Sequence, residues 1–208
     1  MSVLKIDSSA RVERSNSRVI TQYLVDRIGE SVVDRDLAQQ PLPFISAEDL
    51  IDLHASSNDS RATLQNHLAI SNSLIDELMV ADDLVFGVPM YNFSVPAVLK
   101  QWIDYICRAG ITFKYGENGP LGLTGINRAF IVSSSGGVPI GSDMDYASRY
   151  LEHICRFIGV DKVIHIDASG SKGLPETIIA HAKQQIDEVL NTTSFIMGGK
   201  VKELETEL

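Results

Sequence analysis

Short apolar runs alternate with longer segments of helical periodicity along the whole chain. The apolar runs are hydrophobic at consecutive positions, as in Leu84-Val85-Phe86-Gly87-Val88. Consecutive apolar residues are typical of strands that are buried on both faces, in a parallel sheet covered by helices. The pattern predicts strands over residues 3–7, 32–37, 83–88, 128–133 and 162–168.

The segments between these strands have the spacing of amphipathic helices, and glycine follows three of them, at Gly29, Gly110 and Gly159. We predict helices over residues 18–28, 60–79, 96–109, 144–158 and 175–190. Repeated strand–helix units without internal repeats predict a doubly wound, three-layer α/β domain with a five-stranded parallel sheet. We expect one domain over residues 1–191, and a polar tail over 192–208 that is a candidate for disorder.

Composition and charge disfavour several classes of ligand and location. The 208 residues carry a formal net charge of −9, which disfavours nucleic acid and anionic lipid as ligands. No apolar run reaches the length of a membrane span, and the N-terminus lacks the pattern of a signal peptide. Cys107 and Cys155 lie far apart in apolar segments, so we expect reduced thiols and a cytoplasmic protein.

In an open α/β sheet, ligands bind beyond the carboxyl ends of the strands, where the winding direction reverses. The loops after the first, third and fourth predicted strands therefore become the candidate site. These loops also hold the unusual sequence of the chain: a serine-rich turn, an aromatic turn and a glycine pair.

The first loop, residues 8–17, leads directly into the first predicted helix. A helix N-terminus offers unpaired N–H groups and a positive dipole end, which suit a phosphate. Ser9, Ser15, Asn16 and Ser17 can add neutral donors. Because the loop has neither GxGxxG nor a Walker lysine, we predict a monophosphate held by neutral donors. The sequence leaves open the alternative that Ser15 or Ser17 only caps the helix.

The second loop, residues 89–96, places two aromatic side chains at the end of a strand. Tyr91 and Phe93 can line a flat ring while Asn92 and backbone N–H groups bond the polar edge of that ring. The alternative is that both aromatics pack within the loop itself.

The third loop carries Ser134-Ser135-Gly136-Gly137. Paired glycines let a backbone approach a ligand closely, and two successive N–H groups there can stabilise negative charge on that ligand. A plain Gly-Gly turn is the alternative for this loop taken alone.

Two strings resemble a known family. The first is Pro89-Met90-Tyr91-Asn92-Phe93 with the Leu99-Lys100 and Trp102-Ile103-Asp104 that follow it. The second begins at Arg108-Ala109-Gly110-Ile111-Thr112-Phe113 and ends at Gly119-Pro120. Over nearly its full length the chain resembles the FMN-dependent NADH-azoreductase, or NADH:quinone oxidoreductase, family.

The resemblance implies a flavodoxin-like fold, one FMN per subunit, and a homodimer with the flavin near its interface. It implies NADH or NADPH as co-substrate and a quinone or azo compound as acceptor. The cofactor-binding residues that it implies are Ser9, Ser15, Asn16, Ser17, Met90, Tyr91, Asn92, Phe93, Ser134, Ser135, Gly136 and Gly137. Phe157 matches a family position near the substrate pocket. Tyr115, in a polar and glycine-rich excursion, is a second candidate for contact with the substrate.

No acid–base residue stands out, so we expect the cofactor to do the redox chemistry while the protein supplies position and electrostatics. Two rival functions remain at this point: a flavodoxin that only carries electrons, and a flavin-free hydrolase on a similar scaffold. The sequence does not decide between NADH and NADPH, and it does not identify the physiological acceptor.

Overall fold

The computed structural model describes residues 2–29, 31–55, 62–170 and 174–204. In chain order its elements are β1 (Ser2–Asp7), α1 (Asn16–Ile28), β2 (Ser31–Asp36), α2 (Ala47–Ala55), α3 (Ala62–Met79), β3 (Asp83–Pro89), α4 (Ala97–Ile106), β4 (Phe113–Gly116), β5 (Gly119–Gly122), β6 (Arg128–Ser134), α5 (Tyr146–Ile158), β7 (Lys162–Asp167) and α6 (Pro175–Leu204).

Five strands form one sheet in the order β2-β1-β3-β6-β7, and all neighbouring pairs are parallel. The predicted α/β architecture with a five-stranded parallel sheet is confirmed. The winding direction reverses between β1 and β3, so the carboxyl ends of these two strands form the crevice where ligands of such sheets bind.

Two hydrophobic cores cover the two faces of the sheet. One contains Leu4, Phe86 and Ile131 from the strands, and α2, α3, α4 and α5 pack on it. The other contains Val3, Val85 and Val132, and α1 and α6 cover it. Because residues from the same strands enter both cores in alternation, the central strands are apolar on both faces, which is the pattern that predicted them.

The structure corrects the expectation for residues 41–59, where the polar sequence predicts no helix. Helix α2 occupies part of this stretch, and its start is set by Ser46, whose Oγ accepts a hydrogen bond from the backbone N–H of Asp49 at 3.1 Å. The same Oγ donates to the Asp49 carboxylate at 2.8 Å. Ser-x-x-Asp at the start of a helix is a capping signal that the sequence contained. Residues 56–61 lie outside the described residues, and they include the predicted start of the following helix.

A second correction concerns the glycine-rich excursion, in which no strand was predicted. Strands β4 and β5 pair antiparallel there, with Phe113 opposite Gly122 and Gly116 opposite Gly119. Strand β5 reads Gly-Pro-Leu-Gly, so its sequence lacks the β-branched and aromatic residues typical of strands.

The last helix is longer than predicted, because α6 continues past residue 190 to Leu204. Of the tail considered for disorder, residues 192–204 are therefore helical, and residues 205–208 lie outside the described residues. None of the helices in the described ranges combines the length and the apolar character that crossing a membrane requires.

Candidate functional site

A cavity of about 330 Å³ opens at the carboxyl ends of β1, β3 and β6. The three loops singled out by the sequence all contribute to its wall. Its lining includes Ser9, Ser15 and Asn16 from the first loop, Met90 and Tyr91 from the second, and Ser134, Ser135 and Gly136 from the third. Its size is within the range of small-molecule sites.

The hydroxyl groups of the first loop form a connected cluster. Ser15 Oγ donates to Ser9 Oγ at 3.0 Å and lies 3.1 Å from Ser17 Oγ. All three side chains are buried, and Ser17 is not in contact with the cavity surface. The cluster stands at the N-terminus of α1, where helix N–H groups are unpaired. It is therefore arranged to bind an anion at this end of the cavity.

The alternative of simple helix capping does not describe Ser15. Ser15 occupies the N-cap position of α1, but its side chain makes no capping hydrogen bond. It bonds to Ser9 and Ser17 instead. A capping serine would bond the N–H of the second or third helical residue.

Two arginines also line the cavity, although only neutral donors were predicted there. Arg11 and Arg14 belong to the first loop, and both are exposed. The expectation of neutral donors alone is thus incomplete, because two guanidinium groups stand beside the serine hydroxyls. Two arginines in one short loop of an acidic chain are unusual, and this sequence feature could have indicated the positive charge at the cavity.

The second loop makes a tight turn in a conformation that is rare for its residues. Tyr91 and Ser94 exchange two backbone hydrogen bonds of 3.0 and 3.1 Å around Asn92 and Phe93. The φ angles of Asn92 and Phe93 are 49° and 69°, which corresponds to a type I′ turn. Asn tolerates this conformation, whereas for Phe it costs on the order of 1–3 kcal/mol. Phe93 is 50% exposed, so burial does not offset this cost fully.

Hydrogen bonds connect this turn to the rest of the site. The backbone N–H of Met90 donates to the carbonyl of Ser134 at 2.7 Å, which joins the second and third loops. The hydroxyl of Tyr91 accepts from the N–H of Ala10 at 3.2 Å, which joins the second and first loops. The three loops thus form one hydrogen-bonded unit.

In the third loop, Ser134, Ser135 and Gly136 line the cavity, and Gly137 does not. A Cβ at Gly136 would meet no atom within 4 Å, so the protein's own packing does not require glycine there.

The far end of the third loop is held by Asp145, which accepts from the N–H of Gly141 at 2.8 Å. Burial would raise the pKa of Asp145, but hydrogen bonds from Gly141 and Ser148 hold that pKa below its usual value.

A second, more open recess of about 630 Å³ adjoins the first cavity, and Tyr91 lines both. The recess is also lined by Asn92, Lys100 and Tyr150. Asn92, predicted as a cofactor ligand, therefore faces this recess.

Comparison with known proteins agrees with this geometry. A family model described as flavodoxin-like fold matches residues 1–190. An FMN-dependent NADH:quinone oxidoreductase 1 from Hahella chejuensis is 46% identical over 190 residues, which are 88% of this chain and 92% of that protein. Its namesake from Colwellia psychrerythraea is 40% identical over 194 residues, 91% of this chain and 100% of that protein.

The chain belongs to the FMN-dependent NADH:quinone oxidoreductase family, with a flavodoxin-like fold. The crystal structure of an azoreductase from Bacillus anthracis matches it with a TM-score of 0.80 at 26% identity, over 92% of this chain and 99% of that chain.

In this member of the oxidoreductase family, Tyr115 and Phe157 lie apart from the serine loop. Neither is among the described residues that line the cavity. Tyr115 is 77% exposed on β4 and meets Phe113 edge-on, with ring centroids 5.6 Å apart. The ring of Phe113 also contacts that of Phe157, at 4.2 Å. The two predicted substrate residues thus share one aromatic cluster, and their role stays a prediction.

One part of the cavity wall in this oxidoreductase was not predicted from the sequence. Ala168, Gly170, Pro175 and Ile178 lie after β7 and at the start of α6. They are small or apolar residues far along the chain, and no local motif marks them.

Proposed function

We propose that this chain is an FMN-dependent oxidoreductase that transfers reducing equivalents from NADH to quinones, with azo compounds as further acceptors. The observation that carries the proposal is the meeting of three different loops at one cavity. A buried hydroxyl cluster at a helix N-terminus lies at one end, and Tyr91 and Gly136 lie in the same wall.

The residues present fit FMN. Ser9, Ser15 and the N-terminus of α1 suit its phosphate, and Arg11 and Arg14 add positive charge for a dianion. Gly136 leaves room for the close approach of a ring, because a Cβ there would meet nothing. Tyr91 lines both cavities, so its ring can support a flat group that lies between them. The relatives' names specify FMN, NADH and quinone, which is further support.

Bound FMN would supply the redox chemistry, the transfer of reducing equivalents from the nicotinamide to the acceptor. The chain's own residues bind and orient. The serine cluster fixes the phosphate end, and the loops from β3 and β6 fix the ring end through the Met90–Ser134 hydrogen bond. Ser134, Ser135 and Gly136 of the third loop line the cavity, and backbone N–H groups of this loop would stabilise the negative charge that develops on the reduced ring.

The experiment that tests this function is a steady-state assay of the purified protein, together with its absorption spectrum. We expect bound oxidised flavin in the spectrum and NADH consumption that depends on a quinone. We propose that donor and acceptor use the same space in turn, so initial-rate lines at several quinone concentrations should be parallel, the ping-pong pattern. Intersecting lines would contradict the shared site.

The same assay separates the rivals. A flavodoxin that only carries electrons would retain FMN but would not consume NADH with a quinone. A flavin-free hydrolase would be colourless. NADPH, tested beside NADH, measures the donor preference that the sequence left open.

We further propose that the protein is a cytoplasmic homodimer. The resemblance is the support for the dimer, and Tyr115 would then reach the flavin site of the second copy. Both cysteines are free thiols, which supports a reducing compartment. Burial raises the pKa of Cys107 and of Cys155 to about 12, so both stay neutral near pH 7.

Replacing Tyr115 tests its role as a wall for flat acceptors. Tyr115→Ala should retain FMN, and its efficiency with quinones or bulky azo compounds should fall several-fold, because aromatic stacking adds about 0.5–1.5 kcal/mol. Reduction of the enzyme by NADH in stopped flow should change less. Steady-state efficiencies for two acceptors of different size give the measurement.

Controls accompany this variant. Light scattering should give about twice the chain mass of 22.8 kDa for both proteins, which excludes a change in assembly. If Tyr115→Ala lowers the melting temperature and leaves the ratio of the two efficiencies unchanged, Tyr115 only packs on Phe113.

A further inference from the structure

Arg18 lies in the first turn of α1 and directs its guanidinium back onto the serine-rich loop. Its Nη2 donates to the carbonyl of Ser9 at 2.8 Å, and its Nε donates to the carbonyl of Arg11 at 3.1 Å. Its side chain is only 14% exposed, and it is not among the described residues that line the cavity. Arg18 thus binds the loop through its backbone carbonyls and does not line the cavity itself.

The other edge of the same guanidinium is anchored to the sheet. Nη2 donates to Asp36 Oδ1 at 2.9 Å, and Nη1 donates to Asp36 Oδ2. Asp36 ends β2 and also accepts from the N–H groups of Ala38 and Gln39, both at 3.1 Å, so its carboxylate is held rigidly. Burial would raise the pKa of Asp36, but hydrogen bonds from Arg18 and Gln39 keep that pKa well below its usual range. The anchor therefore stays charged at physiological pH.

One peptide unit is clamped from both sides as a result. The carbonyl of Ser9 and the N–H of Ala10 belong to the same planar group and point in opposite directions. Arg18 binds the carbonyl, and the Tyr91 hydroxyl accepts from the N–H at 3.2 Å. The orientation of this peptide sets where Ser9 places its side chain, and Ser9 Oγ accepts from Ser15 Oγ.

We propose that Arg18 is the positioning residue of the phosphate loop: its planar fork ties two loop carbonyls to Asp36 and so holds the serine hydroxyls together for the flavin phosphate. The inference rests on the proposed function, because it needs a phosphate-bearing flavin in the cavity. Lysine cannot replace the fork, since one ammonium cannot reach three separate acceptors in one plane.

The test compares Arg18→Lys with Arg27→Lys in the full chain, stripped of flavin and titrated with FMN or riboflavin. Arg27 lies in the last turn of the same helix and pairs with Asp187 of α6 at 2.8 Å, so it is a matched control outside the loop. Arg18→Lys should weaken FMN binding about tenfold and leave riboflavin binding unchanged, as expected for lost positioning of charge-assisted hydrogen bonds. Arg27→Lys should keep both affinities within about twofold.

Asp36→Asn retains the Arg18 residue and removes the charge of its anchor. This variant should also lose affinity for FMN and not for riboflavin, by a smaller factor than Arg18→Lys. If Arg18→Lys does not fold, Asp36→Asn tests the role of Arg18 in its place. In a double-mutant cycle, Arg18→Lys and Ser9→Ala should be non-additive, because both act through the same loop. A structural ion pair alone would give additive losses.

The outcomes also separate this inference from the proposed function. If the wild-type chain binds FMN no better than riboflavin, the phosphate site and the role of Arg18 are both wrong. If it prefers FMN, and the Arg18 and Asp36 variants keep that preference or lose both flavins equally, only the inference about Arg18 is overturned.

Discussion

We expect the Ser15→Ala/Ser17→Ala double variant to bind FMN at least about tenfold more weakly than the wild type. The two hydroxyls belong to the cluster at the start of α1, in which Ser15 bonds to both Ser9 and Ser17. Hydrogen bonds to a charged group contribute about 1.5–3 kcal/mol each, so losing even one direct bond predicts a tenfold effect. Titration of the flavin-free protein with FMN gives the dissociation constant.

Riboflavin is the control ligand, because it lacks the phosphate and its affinity should barely change. Ser31→Ala is the control variant, since Ser31 is an exposed residue at the start of β2, beside Ser2 at the amino end of β1, whereas the cavity lies at the carboxyl ends of the strands. Equal losses for FMN and riboflavin would remove the phosphate assignment and would indicate that the serines only stabilise the loop.

The sequence was most informative about the parallel sheet. Strands β1, β3 and β6 begin and end within two residues of the predicted bounds, because burial on both faces makes them mostly apolar. The position of the site followed from the same pattern, since loops at the carboxyl ends of neighbouring parallel strands must meet. For this reason the sequence alone predicts that Ser9, Tyr91 and Ser135 lie close together, and all three line the cavity.

Features that depend on side-chain geometry were not predictable in this way. Nothing in the sequence indicates that Phe93 has a φ of 69°, because aromatic residues rarely adopt that conformation. Arg18 looks like any polar residue on an amphipathic helix, and its function as a clamp depends on where Ser9 and Arg11 place their carbonyls. Tyr115 and Phe157 are linked through ring contacts with Phe113, which lies on a hairpin whose second strand lacks typical strand residues.

Gly122→Ala should destabilise the protein strongly, because this glycine forms the contact between the β4–β5 hairpin and the end of α5. A Cβ at Gly122 would lie 2.0 Å from the backbone nitrogen of Gly159 and 2.3 Å from its Cα. Gly159 ends α5 with a φ of 102°, so the facing backbone cannot easily move. Overpacking against backbone should cost about 3 kcal/mol, a fall of roughly 10 °C in melting temperature.

Gly116→Ala is the matched control in the same hairpin. There a Cβ would meet Cδ1 of Leu121 at 3.0 Å, the far end of a flexible side chain, so the melting temperature should change by a few degrees at most. Because the hairpin carries Tyr115, the folded fraction of Gly122→Ala should also show the altered acceptor preference expected of Tyr115→Ala. Unchanged stability in Gly122→Ala would mean that the hairpin is not packed on α5 as described. A loss of stability without any change in acceptor preference would separate the hairpin's structural role from the substrate site.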